Sequence, residues 1–198
     1  MRHRRMGDDP EEANLLERAR RGDTAAFDSL ITLYRERIHM HVFQIARNQE
    51  DALDLTQETF IRAWKSLARF DAAAPFASWL HRIATNAAID LCRRRQVRPQ
   101  VEIGSGALKV DPASRTTPSR PETPGTSLDR AEIKRRVEEA FQGLTPEHRA
   151  VIVLKEIEDF SYEEIARHLG CSTGTVMSRL FYARKKLQTL LRDLHEEL

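Results

Sequence analysis

Residues 170–187, GCSTGTVMSRLFYARKKL, place a glycine and two hydroxyl residues ahead of a run that carries basic side chains and no acidic one. Gly170-Cys171-Ser172 forms a short turn in which Ser172 is ready to cap the helix that follows. The preceding Ser161-Tyr-Glu-Glu164 has the spacing of a capping box, with Phe160 and Ile165 at the flanking staple positions. Helix, short glycine turn and helix together make the outline of a helix-turn-helix. On the second helix Val176, Leu180, Ala183 and Leu187 form an apolar stripe, while Thr175, Ser178, Arg179, Tyr182 and Lys186 form a polar and cationic one. Residues 172–188 carry only positive charge, which suits phosphate contact; Ser, Arg and Tyr can also reach base edges. The pattern predicts a DNA-reading helix, against a plain surface or oligomerisation helix.

Outward from this stretch, helical periodicity dominates and no alternating strand stands out. The chain has 198 residues, 40% hydrophobic and 31% charged, a globular composition of one ordinary domain or two small ones. We expect an all-α protein of two small helical domains. The first runs over 11–95, with Gly22-Asp23 breaking one helix and Asp23 capping the next near 24–47. Further helices are expected near 50–68 and 76–95, separated by Asp71-Ala-Ala-Ala-Pro75. Residues 1–10 are expected to be disordered. Residues 96–128 hold five of the eight prolines (Pro99, Pro112, Pro118, Pro121 and Pro124) among Ser, Thr and Gly. Such a composition predicts a flexible linker, because it buries too little apolar surface to offset its ordering entropy. The second domain follows over 129–198, where Thr145-Pro146 is an N-cap with proline at the first helical position.

The formal net charge is only +2, so affinity for a polyanion has to come from local clustering. MRHRRM at the start lacks an apolar segment after it, which argues against a signal peptide, and no apolar run reaches membrane-spanning length. Cys92 and Cys171 lie far apart with no metal-ligand spacing, as expected of reduced thiols in a cytoplasmic protein. His39 and His41 fall on different faces of one helix, which argues against a metal site between them. No phosphate-cradling loop, nucleophile with its base, or metal cluster is evident, so neither a cofactor nor catalysis is expected.

Two stretches of the first domain carry opposite charge. Residues 48–61, NQEDALDLTQETFI, hold four acids and no base, with Leu53, Asp54, Gln57 and Glu58 on one face. Glu50 and Asp51 suit the positive end of the helix, but Asp54 and Glu58 lie too far in for that account. A solvated face and a protein-binding face both remain open on pattern alone. Residues 70–95, FDAAAPFASWLHRIATNAAIDLCRRR, bring Phe76 and Trp79 close to a loop and end in Arg93-Arg94-Arg95. Rings and cations together suit single-stranded nucleic acid, although core aromatics and a helix-end dipole contact would read the same way.

Three stretches, DALDLTQETFIRAWKSLARF, FASWLHRIATNAAIDLCRRR and LTPEHRAVIVLKEIEDFSYEEIARHLGCSTGTVMSRLFYARKKL, resemble in this order the extracytoplasmic-function (ECF) sigma factors of bacterial RNA polymerase. The resemblance covers nearly all of the chain outside the linker. It implies that the first domain binds the clamp of the largest polymerase subunit and opens the minus-ten element, and that the second reads the minus-thirty-five element as duplex. By position it assigns Leu53, Asp54, Gln57 and Glu58 to the polymerase. Phe76, Trp79, Arg82 and Asn86 fall to the minus-ten element as single strand, with Asn86 against an unstacked base. Thr175, Met177, Ser178, Arg179, Phe181, Tyr182, Arg184 and Lys185 fall to the duplex. It also implies an anti-sigma partner in a stress or envelope response. Met177 and Tyr182 stand where the family often has basic residues, and Ala72-Ala-Ala-Pro75 replaces a glycine-acid-serine run. The rival expectations are a stand-alone helix-turn-helix regulator and a DNA-processing enzyme, the latter resting on Asp51, Asp54 and Glu58 around a metal.

Overall fold

A computed structural model describes residues 10–71, 74–97 and 124–192. The described residues are helices and turns. α1 (Pro10–Arg20) opens with proline and Glu11 in its first turn, the charge order its dipole favours. Gly22, at φ +94, then reverses the chain. Asp23 caps α2 (Thr24–Ala46) by accepting from the Ala26 amide at 3.1 Å, and Arg18 clamps the same carboxylate from α1 at 2.7 Å. Asn48 caps α3 (Gln49–Ser66) in the same manner, accepting from the Asp51 amide. After a 3₁₀ turn (Leu67–Arg69) and a loop comes α4 (Phe76–Val97).

These four helices share one core. Leu30, Tyr34, Ile38, Val42 and Ile45 run down the inner face of α2 at helical spacing, all fully buried. They meet Leu55 and Ala63 of α3 and Leu80, Ala84, Ala87 and Ala88 of α4, whose small side chains let the helix come close. One end of the core is aromatic: Phe76 packs edge-on to both Tyr34 and Phe70, with Trp79 at 5.7 Å from it.

α5 (Pro124–Gln142) and α6 (Pro146–Ile152) begin the second half. Both α4, which continues to Val97, and α5, which starts at Pro124, extend into the segment expected as linker; its centre lies outside the described residues, as do residues 1–9. Thr145 caps α6, which ends in a π turn (Val153–Ile157) that no local sequence signal announced. The expected capping box starts α7 (Tyr162–Leu169), with Ser161 and Glu164 exchanging both hydrogen bonds. Gly170, at φ +60, closes α7 and Ser172 caps α8 (Thr173–Leu190). Val176, Leu180 and Ala183 of α8 pack on Leu144, Val151, Leu154 and Ile165.

The two halves are packed together. Ala150 and Val153, after the cap of α6, bury themselves in the core of the first half. Arg93 of α4 binds Glu147, and Ser78 of α4 lies 3.0 Å from His168 of α7. Arg47 stacks over Phe141 of α5 at 5.7 Å. Composition gave no hint of this joint.

Candidate nucleic-acid interface

α8 is built to present one side. Val176, Leu180 and Ala183 are buried, with Leu187 half-buried behind them, so the opposite face has to look outward. There Met177, Phe181 and Tyr182 are 49%, 61% and 60% exposed, a cost in solvated apolar surface that an unliganded helix gains nothing from. The Phe181 and Tyr182 rings meet edge-on at 5.4 Å, which stiffens that platform. Ser178, Arg184 and Lys185 are exposed and Thr175 and Arg179 half-buried, so all eight expected residues lie along the outer sides of one helix.

They are not equally available. Arg184 reaches back to Glu156 in the π turn at 2.5 Å, a bond that raises its guanidinium further above the ordinary range. Arg179 and Lys186 lie near His148 of α6; burial first, and then these two cations, hold that imidazole below its ordinary value. Lys185 is exposed, and among the described residues no acidic side chain bridges it as Glu156 bridges Arg184. The Arg184–Glu156 pair was invisible in the sequence, since the two residues are 28 positions apart.

α3 turns Leu53 (46% exposed), Asp54 and Gln57 to solvent, with Glu58 at their edge bonded to Arg62 one turn on. Asn48 and the buried Leu55, Thr59 and Ala63 fix that orientation. Ile61, 54% exposed, continues the same face. Asp51 is different. It is buried and held by Arg95, so it does not converge with Asp54 and Glu58 as a metal-using enzyme would require.

On α4, Arg82 and Asn86 are exposed and Trp79 is half-buried. Phe76 needs correction: at 2% exposure it is a core residue wedged between Tyr34 and Phe70, out of reach of a base. It supports Trp79 from beneath. Trp79 and Arg82 line a cleft whose far wall is Glu164, Arg167 and His168 of α7. The arginine triplet is also largely engaged, Arg93 by Glu147, Arg95 by Asp51, and Arg94 by the Asp90 carbonyl. Among the described residues no helix is long and apolar enough to cross a membrane.

The chain divides in the same way when set beside known proteins. Residues 30–98 match the family model for sigma-70 region 2, and residues 134–187 match that for sigma-70 region 4. It is 34% identical to the RNA polymerase sigma-H factor of Pseudomonas aeruginosa over 188 residues, covering 92% of this chain and 97% of that one. It is 31% identical to the ECF sigma factor SigW of Bacillus subtilis over 182 residues, 90% of this chain and 96% of the other. Among solved structures it resembles CnrH in complex with the cytosolic domain of CnrY, at TM-score 0.61 and 27% identity, over 92% of this chain and 98% of that one. It also resembles sigma factor RpoE bound to the anti-sigma factor NepR from Bartonella quintana, at TM-score 0.60 and 25% identity, over 84% of this chain and 96% of that one.

Proposed function

The chain belongs to the extracytoplasmic-function sigma factors, subunits that bind core RNA polymerase and direct promoter-specific initiation, and we propose how its residues divide that work. Leu53, Asp54, Gln57 and Glu58 dock on the polymerase clamp, since an acidic, partly apolar face suits a protein and repels DNA. Trp79, Arg82 and Asn86 hold the minus-ten element after it unpairs, by stacking, phosphate contact and an amide that can both donate to and accept from one base edge. The outer face of α8, from Thr175 to Lys185, enters the major groove of the minus-thirty-five element. Catalysis stays with the polymerase in this reading. So does location in the cytoplasm, where the polymerase is.

The observation that carries the reading is the division itself: two matched regions, each with an outward face of the charge its partner needs. Two elements about 25 base pairs apart lie ~85 Å from each other at roughly 3.4 Å per pair. A compact chain of this length has a radius of gyration of roughly 16 Å. The packed body cannot reach both elements, so the halves separate on the polymerase, joined by the segment between Val97 and Pro124. Scaffold and tether then make the second DNA contact intramolecular, which raises affinity without new contacts. Its structural neighbours supply a further element: as one of them is bound to an anti-sigma factor, we infer anti-sigma control of this chain, in a stress or envelope response.

Run-off transcription by purified core polymerase on a randomised promoter library tests the reading. Promoter-selective transcripts that require both core and this chain support it. Tight, selective DNA binding by the chain alone, with no effect on core, identifies a stand-alone regulator instead.

A further inference from the structure

His41 of α2, His81 of α4 and Glu158, the residue after the π turn, meet where the two halves join. Both imidazoles are 1% exposed, and their rings stand edge-on with centroids 4.9 Å apart. Glu158 Oε1 lies 3.5 Å from His41 Nδ1, and Oε2 lies 3.4 Å from His81 Nε2. One ligand atom from each residue can be chosen so that all lie within 4.8 Å of one another.

Hydrogen bonds on the far sides fix what the inward nitrogens carry. The single Thr85 hydroxyl proton is donated to the His81 carbonyl at 2.8 Å. That hydroxyl oxygen must therefore accept from His41 Nε2, also at 2.8 Å, and the proton of His41 sits on Nε2. His81 Nδ1 lies 2.7 Å from the Ala77 carbonyl, which can only accept, so its proton sits on Nδ1. In the neutral rings, the form that binds a metal, His41 Nδ1 and His81 Nε2 then present lone pairs, and neither nitrogen has a hydrogen-bond partner. Two such lone pairs facing a carboxylate are three acceptor groups around one small space, which a cation shared among them would satisfy.

We propose that His41 Nδ1, His81 Nε2 and the Glu158 carboxylate form a site for a divalent transition-metal ion of the zinc class, which clasps the two halves in their packed arrangement. Two imidazoles and a carboxylate are a zinc donor set, with solvent in the fourth position. Tetrahedral coordination at ~2.0–2.1 Å puts ligand atoms about 3.3 Å apart, close to the two histidine–carboxylate distances already present. Thr85 and the Ala77 carbonyl orient the rings as outer partners do in metal sites. Arg37 approaches Glu158 Oε2 at 3.6 Å from the solvent side and adds charge there, without reaching either nitrogen.

His39 does not join them; it faces Gln49 and Thr56 on another side of α2. The regulatory meaning rests on the sigma-factor reading: an ion that binds only the packed arrangement stabilises it by mass action and opposes the separation that promoter contact requires. The site itself does not rest on that reading.

The test is titration of the metal-free full chain with Co²⁺, whose visible spectrum reports tetrahedral nitrogen and oxygen ligation, followed by displacement with Zn²⁺. We expect one ion per chain, affinity weakened at least about tenfold in His81→Gln and in Glu158→Gln, and no change in His39→Gln. Thr85→Val, which keeps all three ligands, should weaken binding by roughly tenfold, and Thr85→Ser should restore it. Small-angle scattering should show a more compact chain with Zn²⁺ than without. Absence of a stoichiometric Co²⁺ spectrum overturns the site, as does a spectrum retained in both ligand variants. If the metal binds and scattering does not change, the clasp is wrong. A chain that packs on acidification alone and ignores Co²⁺ shows protons in place of the metal. None of these readouts involves polymerase, so failure of the site and failure of the proposed function are distinguishable.

Discussion

Arg93 near the end of α4 donates through Nε to Glu147 Oε1 at the start of α6, at 2.5 Å, and so ties the two halves together at the surface. The arginine is about half exposed, so the pair contributes less than about 1 kcal/mol to stability. Burial would raise the Glu147 carboxyl, but its own helix-start amide and Arg93 hold it below the ordinary 4.5. With a folded value under the unfolded one, the contribution is present above pH 4.5 and is lost as pH falls through the folded value. Arg93→Ala should therefore lower urea-measured stability slightly near neutrality and flatten its decline on the acid side. An unchanged acid limb would mean that Glu147 gains nothing from this partner.

The clamp-docking face predicts a separation of binding from folding. Asp54→Lys with Glu58→Lys should abolish co-purification with core polymerase while circular dichroism stays helical. Losing the Glu58–Arg62 bridge and placing like charges one turn apart costs only a few tenths of a kcal/mol. Normal co-purification of the folded double variant would move the docking surface elsewhere.

On α8 the partners of the cations decide their roles. Lys185→Ala should weaken duplex binding about equally on all sequences and reduce the salt slope by roughly one unit. Glu156→Ala releases Arg184 from its bridge and should raise non-specific affinity and the salt slope together. Ser178→Ala and Tyr182→Ala should change the preferred upstream element, since a base-edge contact discriminates by about 1–3 kcal/mol. Binding titrations over a range of salt check the first two and selection from a randomised library the last two, where an unchanged element would misplace the reading face.

Asn86→Ala should spare core binding and duplex recognition yet slow promoter opening. The side chain is exposed on α4, so its loss costs little packing, whereas capture of an unstacked base has to offset a few kcal/mol of unstacking. A template mismatched across the minus-ten element removes that cost and should restore part of the activity, with base preference still relaxed. Permanganate footprinting on matched and mismatched templates gives the comparison.

Short-range chemistry made the helices of both halves legible. Asp23, Thr145, the Ser161–Glu164 box, Gly170 and Ser172 all act as the sequence predicts, because a cap needs only residues within one turn of each other. The α8 stripe was legible for the same reason. Phe76 shows where pattern stops: an aromatic beside a loop looks alike whether it stacks on a base or fills a core, and only Tyr34 and Phe70 decide. The arginine triplet stood open between nucleic acid and the helix end, and distant residues decide it for two of the three: Glu147 engages Arg93 and Asp51 engages Arg95, while Arg94 takes the Asp90 carbonyl. His41 was set aside with His39 as a pair on one helix, although its neighbours come from α4 and from beyond the linker. Contacts that cross a proline-rich connection leave no period in the sequence.

The π turn at Val153–Ile157 carries one residue more than an α-helical turn would, with the Glu158 amide returning to the Val153 carbonyl. Glu156 and Glu158 stand two positions apart yet serve different masters, one answering Arg184 within its own half and the other facing His41 and His81 across the joint. Winding the same five residues as regular α-helix, with none deleted, would carry Glu158 roughly one residue, about 100°, further round. Such a rewinding would leave the helix-turn-helix intact and silence the joint. The bulge therefore acts as a phase shifter, setting the angle at which the two halves of this chain address one another.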